Sequence, residues 1–175
     1  MQRSSFIIGL VLAASMLAAC SSKYQVDAVQ IPVAGLGVQS RFYVMLPRDG
    51  VYGSKTYVRS GQMTTTAVYQ ALVTRGAEAE QATKIEDEKT VIAEAKKNGF
   101  DYVFVPTILH WEDRATEWSG KLDRLTMHYA VYEAGTGKEV ASTTIRASSK
   151  WATFGGDHPQ DLLPKTTRQF VDQLF

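Results

Sequence analysis

Disulfide chemistry is closed to this chain at the outset, because its 175 residues hold one cysteine, Cys20. A lone thiol excludes an intramolecular disulfide framework and a thiolate metal cluster. Histidine is scarce as well: His110, His128 and His158 lie far apart, with neither H-x-x-x-H nor H-x-E spacing. No metal and no cofactor is therefore expected. Charge of one sign is not in excess, since 19 basic residues face 18 acidic ones. That balance argues against nucleic acid as a partner, which relies on clustered positive charge. The sequence shows neither an internal repeat nor a low-complexity tract.

What is present begins with an apolar run, "FIIGLVLAASMLAA", at residues 6–19 behind Arg3. It is shorter than the roughly 18 to 20 residues a membrane-spanning helix needs. A basic start, a short apolar core and small residues at its end are the layout of an export signal. Leu17 sits three positions before Cys20, where an ordinary secretory cleavage site wants a small residue. "LAAC" instead resembles the lipobox of bacterial lipoprotein precursors. That resemblance implies diacylglyceryl attachment to Cys20, cleavage before it and acylation of the new amine. Two or more acyl chains anchor a protein stably at about 0.8 kcal/mol per buried CH₂. Ser21 after the cysteine, rather than aspartate, points to the outer membrane, facing the periplasm. The expected organisation is a signal at 1–19, a lipidated cysteine and tether at 20–40, and one domain at 41–175. Removing residues 1–19 takes away one basic residue, Arg3, leaving 18 basic and 18 acidic residues in the mature chain.

The domain reads as alternating strands and helices. "RFYVMLP" (41–47) is a compact β-rich run stopped by proline, and "AEAEQAT" (77–83) is a short strand. "DYVFVPTILHW" (101–111) is a near-continuous apolar run suited to a central strand. Two antiparallel strands follow, joined at "EAGTGKE", with Leu125, Met127, Tyr129 and Val131 on one face. Helical stripes fall at Met63, Ala67, Val68, Ala71 and Leu72, across "EDEKTVIAEAKKNG", and at Leu163, Phe170, Val171 and Leu174. The order β-α-β-α-β-β-β-α predicts an α/β domain with a mixed five-stranded sheet and three helices. Its core should include Val44, Leu46, Val68, Leu72, Val91, Ile92, Val103, Val105, Leu125, Met127, Phe170 and Leu174. This order resembles the amino-terminal domain of TolB. The stretch "YVMLPRDGVYGSKTYVRSGQMTTTAVYQAL", with the lipobox, resembles an uncharacterised family of proteobacterial lipoproteins catalogued as a domain of unknown function.

Enzymatic motifs fail on inspection, so no enzyme and no catalytic residue is expected. "DGVYGSKT" lacks the first glycine of a phosphate loop, and Ser54 separates Gly53 from Lys55. No G-x-S-x-G elbow supports a serine nucleophile. One pattern survives. The predicted topology gathers the loops at 47–61, 111–121 and 150–158 at one edge, carrying Trp111, Trp118, Trp151, Tyr52, Tyr57 and several arginines and lysines. Loops on a rigid scaffold carry function, and Trp, Tyr and Arg dominate interface hot spots. The expectation is a non-enzymatic interaction or assembly module. It would be bound to the bilayer through acylated Cys20 and dock an envelope protein through Tyr52, Tyr57, Arg59, Trp111 and Trp118. The alternative is a small-molecule or glycan binder, or a hydrolase, using the same edge. A deep pocket would favour the alternative and a flat aromatic patch would favour docking.

Overall fold

Residues that alternate polar and apolar can bury one face of a strand, and the chain does this from its first described strand onward. The structure, a computed structural model, describes residues 22–32, 35–114, 122–149 and 158–175. Strand β1 (Lys23–Gln30) is followed by β2 (Arg41–Val44), β3 (Val51–Tyr52) and β4 (Lys55–Thr56). Helix α1 (Ser60–Thr74), β5 (Glu78–Gln81), α2 (Glu88–Lys97) and β6 (Tyr102–Glu112) come next. The chain closes with β7 (Arg124–Glu133), β8 (Glu139–Ser148) and α3 (Pro159–Val171).

Six strands form one mixed sheet in the order β1-β8-β7-β6-β2-β5. β5, β2 and β6 are parallel, and the rest pair antiparallel. The three parallel strands and the antiparallel meander match the sequence expectation, but the strand count does not. Lys23–Gln30, expected to be tether, pairs with β8 along its length. Its half-buried Tyr24 and Val26 alternate with exposed Lys23, Gln25 and Asp27, which is a strand signal that a search for tethers passes over. The long loop after β2 also contains a separate two-stranded hairpin, β3-β4, turning at Gly53 with φ 59°.

The sheet separates two apolar layers. On one face α1 and α3 pack over Phe42, Phe104, Leu125, Met127, Tyr129 and Ile145. On the other, Val91 and Ala95 of α2 cover Val103, Val105 and Ala130. Phe104 and its neighbours Val103 and Val105 thus serve opposite layers, as alternation along β6 requires. Of the twelve expected core residues, Leu46 and Ile92 are half-buried and the others are buried. Met63 departs from its expected stripe and lines an exposed depression between α1 and α3.

α2 starts on Asp87, whose carboxylate accepts the Thr90 N–H at 3.0 Å. α1 is capped from a distance: Asp49, in the loop after β2, accepts N–H groups from Arg59 (3.1 Å) and Gly61 (2.8 Å). This joins the loop at 47–61 to the start of the helix.

Candidate functional site

The carboxyl ends of β2, β6 and β8 lie on the same side of the sheet, because β8 runs parallel to β6. Contacts show the loops meeting there. The Tyr57 hydroxyl donates to the Asp113 carbonyl (3.3 Å) and accepts the Asp113 N–H (3.2 Å). His158 Nδ1 lies 3.2 Å from Asp113 Oδ1. The edge therefore exists as an assembly of described residues from three loops.

Its expected anchors have different fates. Trp111 is 2% exposed and belongs to the main core, with its ring 6.4 Å from that of Tyr57. It is a packing residue, which corrects its expected role as a contact. The cause is the β6 pleat, which turns Trp111 toward Leu125 and away from solvent. Gly50 fits against it so closely that an added Cβ would stand 2.6 Å from the Trp111 Cβ. Tyr57 is half-buried, with Lys55 Nζ 4.5 Å above its ring. Tyr52 and Arg59 are exposed. Trp118, Trp151 and Cys20, the expected lipidation site, lie outside the described residues.

Tyr52 belongs to a cluster the sequence did not announce. His110 and Glu112 alternate on the face of β6 opposite Trp111, and the hairpin folds over them. The Tyr52 ring stands edge-on to His110 at 5.3 Å. Glu112 is almost fully buried, pairs with Arg114 and lies 3.1 Å from His110 Nε2. Arg114 Nη2 also donates to the Tyr52 hydroxyl at 3.0 Å. Burial pushes the Glu112 carboxyl up, but hydrogen bonds from His110, Arg114 and Tyr52 outweigh it and hold the group below the usual carboxylate range. An ionised, fully engaged glutamate is poorly suited to donate protons; here it fastens the hairpin to the sheet.

A second cluster joins Asp113, Asp123 and His158, whose ligand-type atoms lie within 4.8 Å of one another. Asp123 Oδ1 already accepts the Arg114 N–H at 2.6 Å, and Asp123 N–H donates to Ser149 Oγ at 3.0 Å. Burial raises the Asp123 carboxyl above its ordinary range, and the hydrogen bond to Asp113 raises the His158 imidazole. The cluster has donor types a divalent ion accepts, but it sits at the positive end of α3, which opposes a cation. Its observed bonds tie the ends of β6 and β7 to the start of α3. Residues 113, 123 and 158 carry no short-range motif, so no spacing in the sequence marks them.

This three-layer α/β domain with a loop-built edge defines a class, and the sequence places it in a family. Residues 34–174 match the family model Domain of unknown function (DUF4823), and the chain belongs to that family. No curated protein matches it significantly. Among solved structures it is similar to the PelC dodecamer of Paraburkholderia phytofirmans, at TM-score 0.58 and 12% identity, covering 88% of this chain and 94% of that one. It is also similar to a Xanthomonas campestris protein of the family DUF330, at TM-score 0.51 and 16% identity, covering 81% and 88%. A Neisseria meningitidis lipoprotein matches at TM-score 0.46 and 15% identity, covering 77% of this chain and 96% of that one. At 12% and 16% identity the first two likenesses are of fold alone. No helix among the described residues is long and apolar enough to cross a membrane.

Proposed function

We propose that this protein is an outer-membrane lipoprotein, anchored through acylated Cys20 and facing the periplasm. It acts there as a non-enzymatic interaction or assembly module for another envelope protein. The observation that carries the docking role is a concentration of exposed apolar side chains between residues 51 and 63. Val58 is 74% exposed, and Val51, Tyr52 and Met63 are exposed beside it in sequence. Exposed apolar groups on loops held by a rigid scaffold are suited to a partner's contact. The docking residues are Tyr52 and Arg59 with the flanking Val58, while Tyr57 braces them. The lipobox resemblance supports the anchor, and the resemblance of the expected element order to the amino-terminal domain of TolB suggests the assembly role.

Two measurements test this. Clickable palmitate should label the wild type and miss Cys20→Ser; labelling of that variant removes the anchor. A photo-crosslinker at Val58 should yield a discrete adduct in intact cells, weakened by Tyr52→Ala, while one at Lys97 on α2 yields none. Equal adducts at both positions, or none at Val58, would remove the docking edge.

A further inference from the structure

The start of β1 has a consequence for how the domain meets the membrane. Strand pairing among the described residues begins at Lys23, and three residue steps separate Lys23 from Cys20. They reach about 11 Å at most, at 3.3–3.6 Å per residue. A twenty-residue tether would have let the domain wander on the order of 25 Å from its anchor; this one holds it against the surface.

The sheet face at that end is basic. Lys23 pairs across β8 Ser148 with Arg124 of β7 on one rung, and Arg146 stands with Thr126 and His110 on the next. The alternate residues Tyr24, Leu125, Ile145 and Ala147 pack in the core beneath α1 and α3, so these cations lie on the opposite face. α2 covers that face around Val103, Val105, Ala130 and Ala134, and the β3-β4 hairpin covers Glu112 and one side of His110. The uncovered part is a depression of about 630 Å³ lined by Lys23, Arg124, Arg146 and His110. Leu109, 56% exposed at the β6 bulge, stands at its border. Two carboxylates are near: Asp27, paired with Arg146 at 3.1 Å, and Glu112, which is buried and neutralised by Arg114. The described residues leave this patch net positive.

We propose that Lys23, Arg124 and Arg146 form a phosphate-contacting face that lays the domain against an anionic phospholipid bilayer, with Leu109 entering the interface between the headgroups. The inference rests on the Cys20 anchor and adds the orientation. The loop edge emerges at the same end of β6 and β8, so docking takes place close to the membrane. Each net positive charge near an anionic surface strengthens contact about fivefold, so the net two left after Asp27 offsets Arg146 contribute roughly 25-fold.

The test uses the full lipidated protein on vesicles. Acylated Cys20 leaves no other thiol, so Gln25→Cys, exposed on the same face as Arg146, takes an environment-sensitive dye uniquely. Lys138→Cys, about 26 Å along the strands at some 3.3 Å per residue, takes the control dye. On phosphatidylcholine vesicles containing phosphatidylglycerol the dye at position 25 should shift to the blue, and on pure phosphatidylcholine it should not. The shift should disappear near 1 M salt, where the screening length falls to about 3 Å, and in the combined variant Lys23→Gln, Arg124→Gln, Arg146→Gln. The control should stay unchanged throughout. Flotation with both vesicle types but no composition-dependent shift overturns the orientation and leaves the anchor standing. A shift that survives in the triple variant overturns the assigned residues. Failure to float with either vesicle overturns the anchor, and the orientation with it.

Discussion

Arg59 holds a left-handed backbone, φ 73°, immediately before α1. This conformation costs a side-chain-bearing residue on the order of 1–3 kcal/mol, and here Asp49 offsets it by receiving two N–H groups at the helix start. Arg59→Gly should therefore melt no earlier than the wild type, whereas Asp49→Ala should lose about 1–2 kcal/mol, as cap removal does. An early-melting Arg59→Gly would show that the arginine side chain, not the turn, stabilises this corner. The same scale separates packing from contact along the loop edge. Trp111→Ala should cost about 3–5 kcal/mol of stability in a denaturant titration. Tyr52→Ala, at an exposed position on the short hairpin, should lose far less and should weaken the crosslink instead. If the two variants unfold alike, the division drawn between Trp111 and Tyr52 is wrong.

At the scale of elements, the beginning of α3 depends on pH. The His158 imidazole is raised chiefly by its hydrogen bond to Asp113, and Asp123 and Asp161 also face it, while burial acts in the opposite direction. A histidine whose folded value exceeds its unfolded value of about 6.5 stabilises fully below that value. The contribution fades as pH rises through the raised folded value. The melting-temperature gap between wild type and His158→Gln should therefore be wide near pH 5.5 and narrow near pH 8.5; a constant gap would mean that the charge plays no part. β1 is a second element with a measurable role. It covers the outer edge of β8, and an uncovered edge strand pairs with other chains. Deleting residues 23–30 should lower the melting temperature and shift the chain toward aggregates in size-exclusion chromatography. A monomeric deletion variant of unchanged stability would reduce β1 to an ornament of the sheet.

For the whole molecule, period and local stereochemistry determined much in advance. The alternation at Leu125, Met127, Tyr129 and Val131, the helical stripes at Val68, Leu72, Phe170 and Leu174, and the proline that ends the run at 41–47 are local facts, and they specified the α/β class and the parallel-then-antiparallel order. "LAAC" likewise carries its resemblance in four adjacent residues. What the sequence left undecided depended on partners distant along the chain. Whether Lys23–Gln30 is tether or strand turns on β8, more than a hundred residues later, offering an edge. Whether Trp111 faces a partner or the core turns on the phase of the β6 pleat after the bulge near Leu109, which a run apolar on both faces does not reveal. The basic patch of Lys23, Arg124 and Arg146 is likewise assembled across three strands. Side-chain types and periods act over a few residues and are written in the sequence. Register and juxtaposition arise from long-range pairing, so only the tertiary structure decided them.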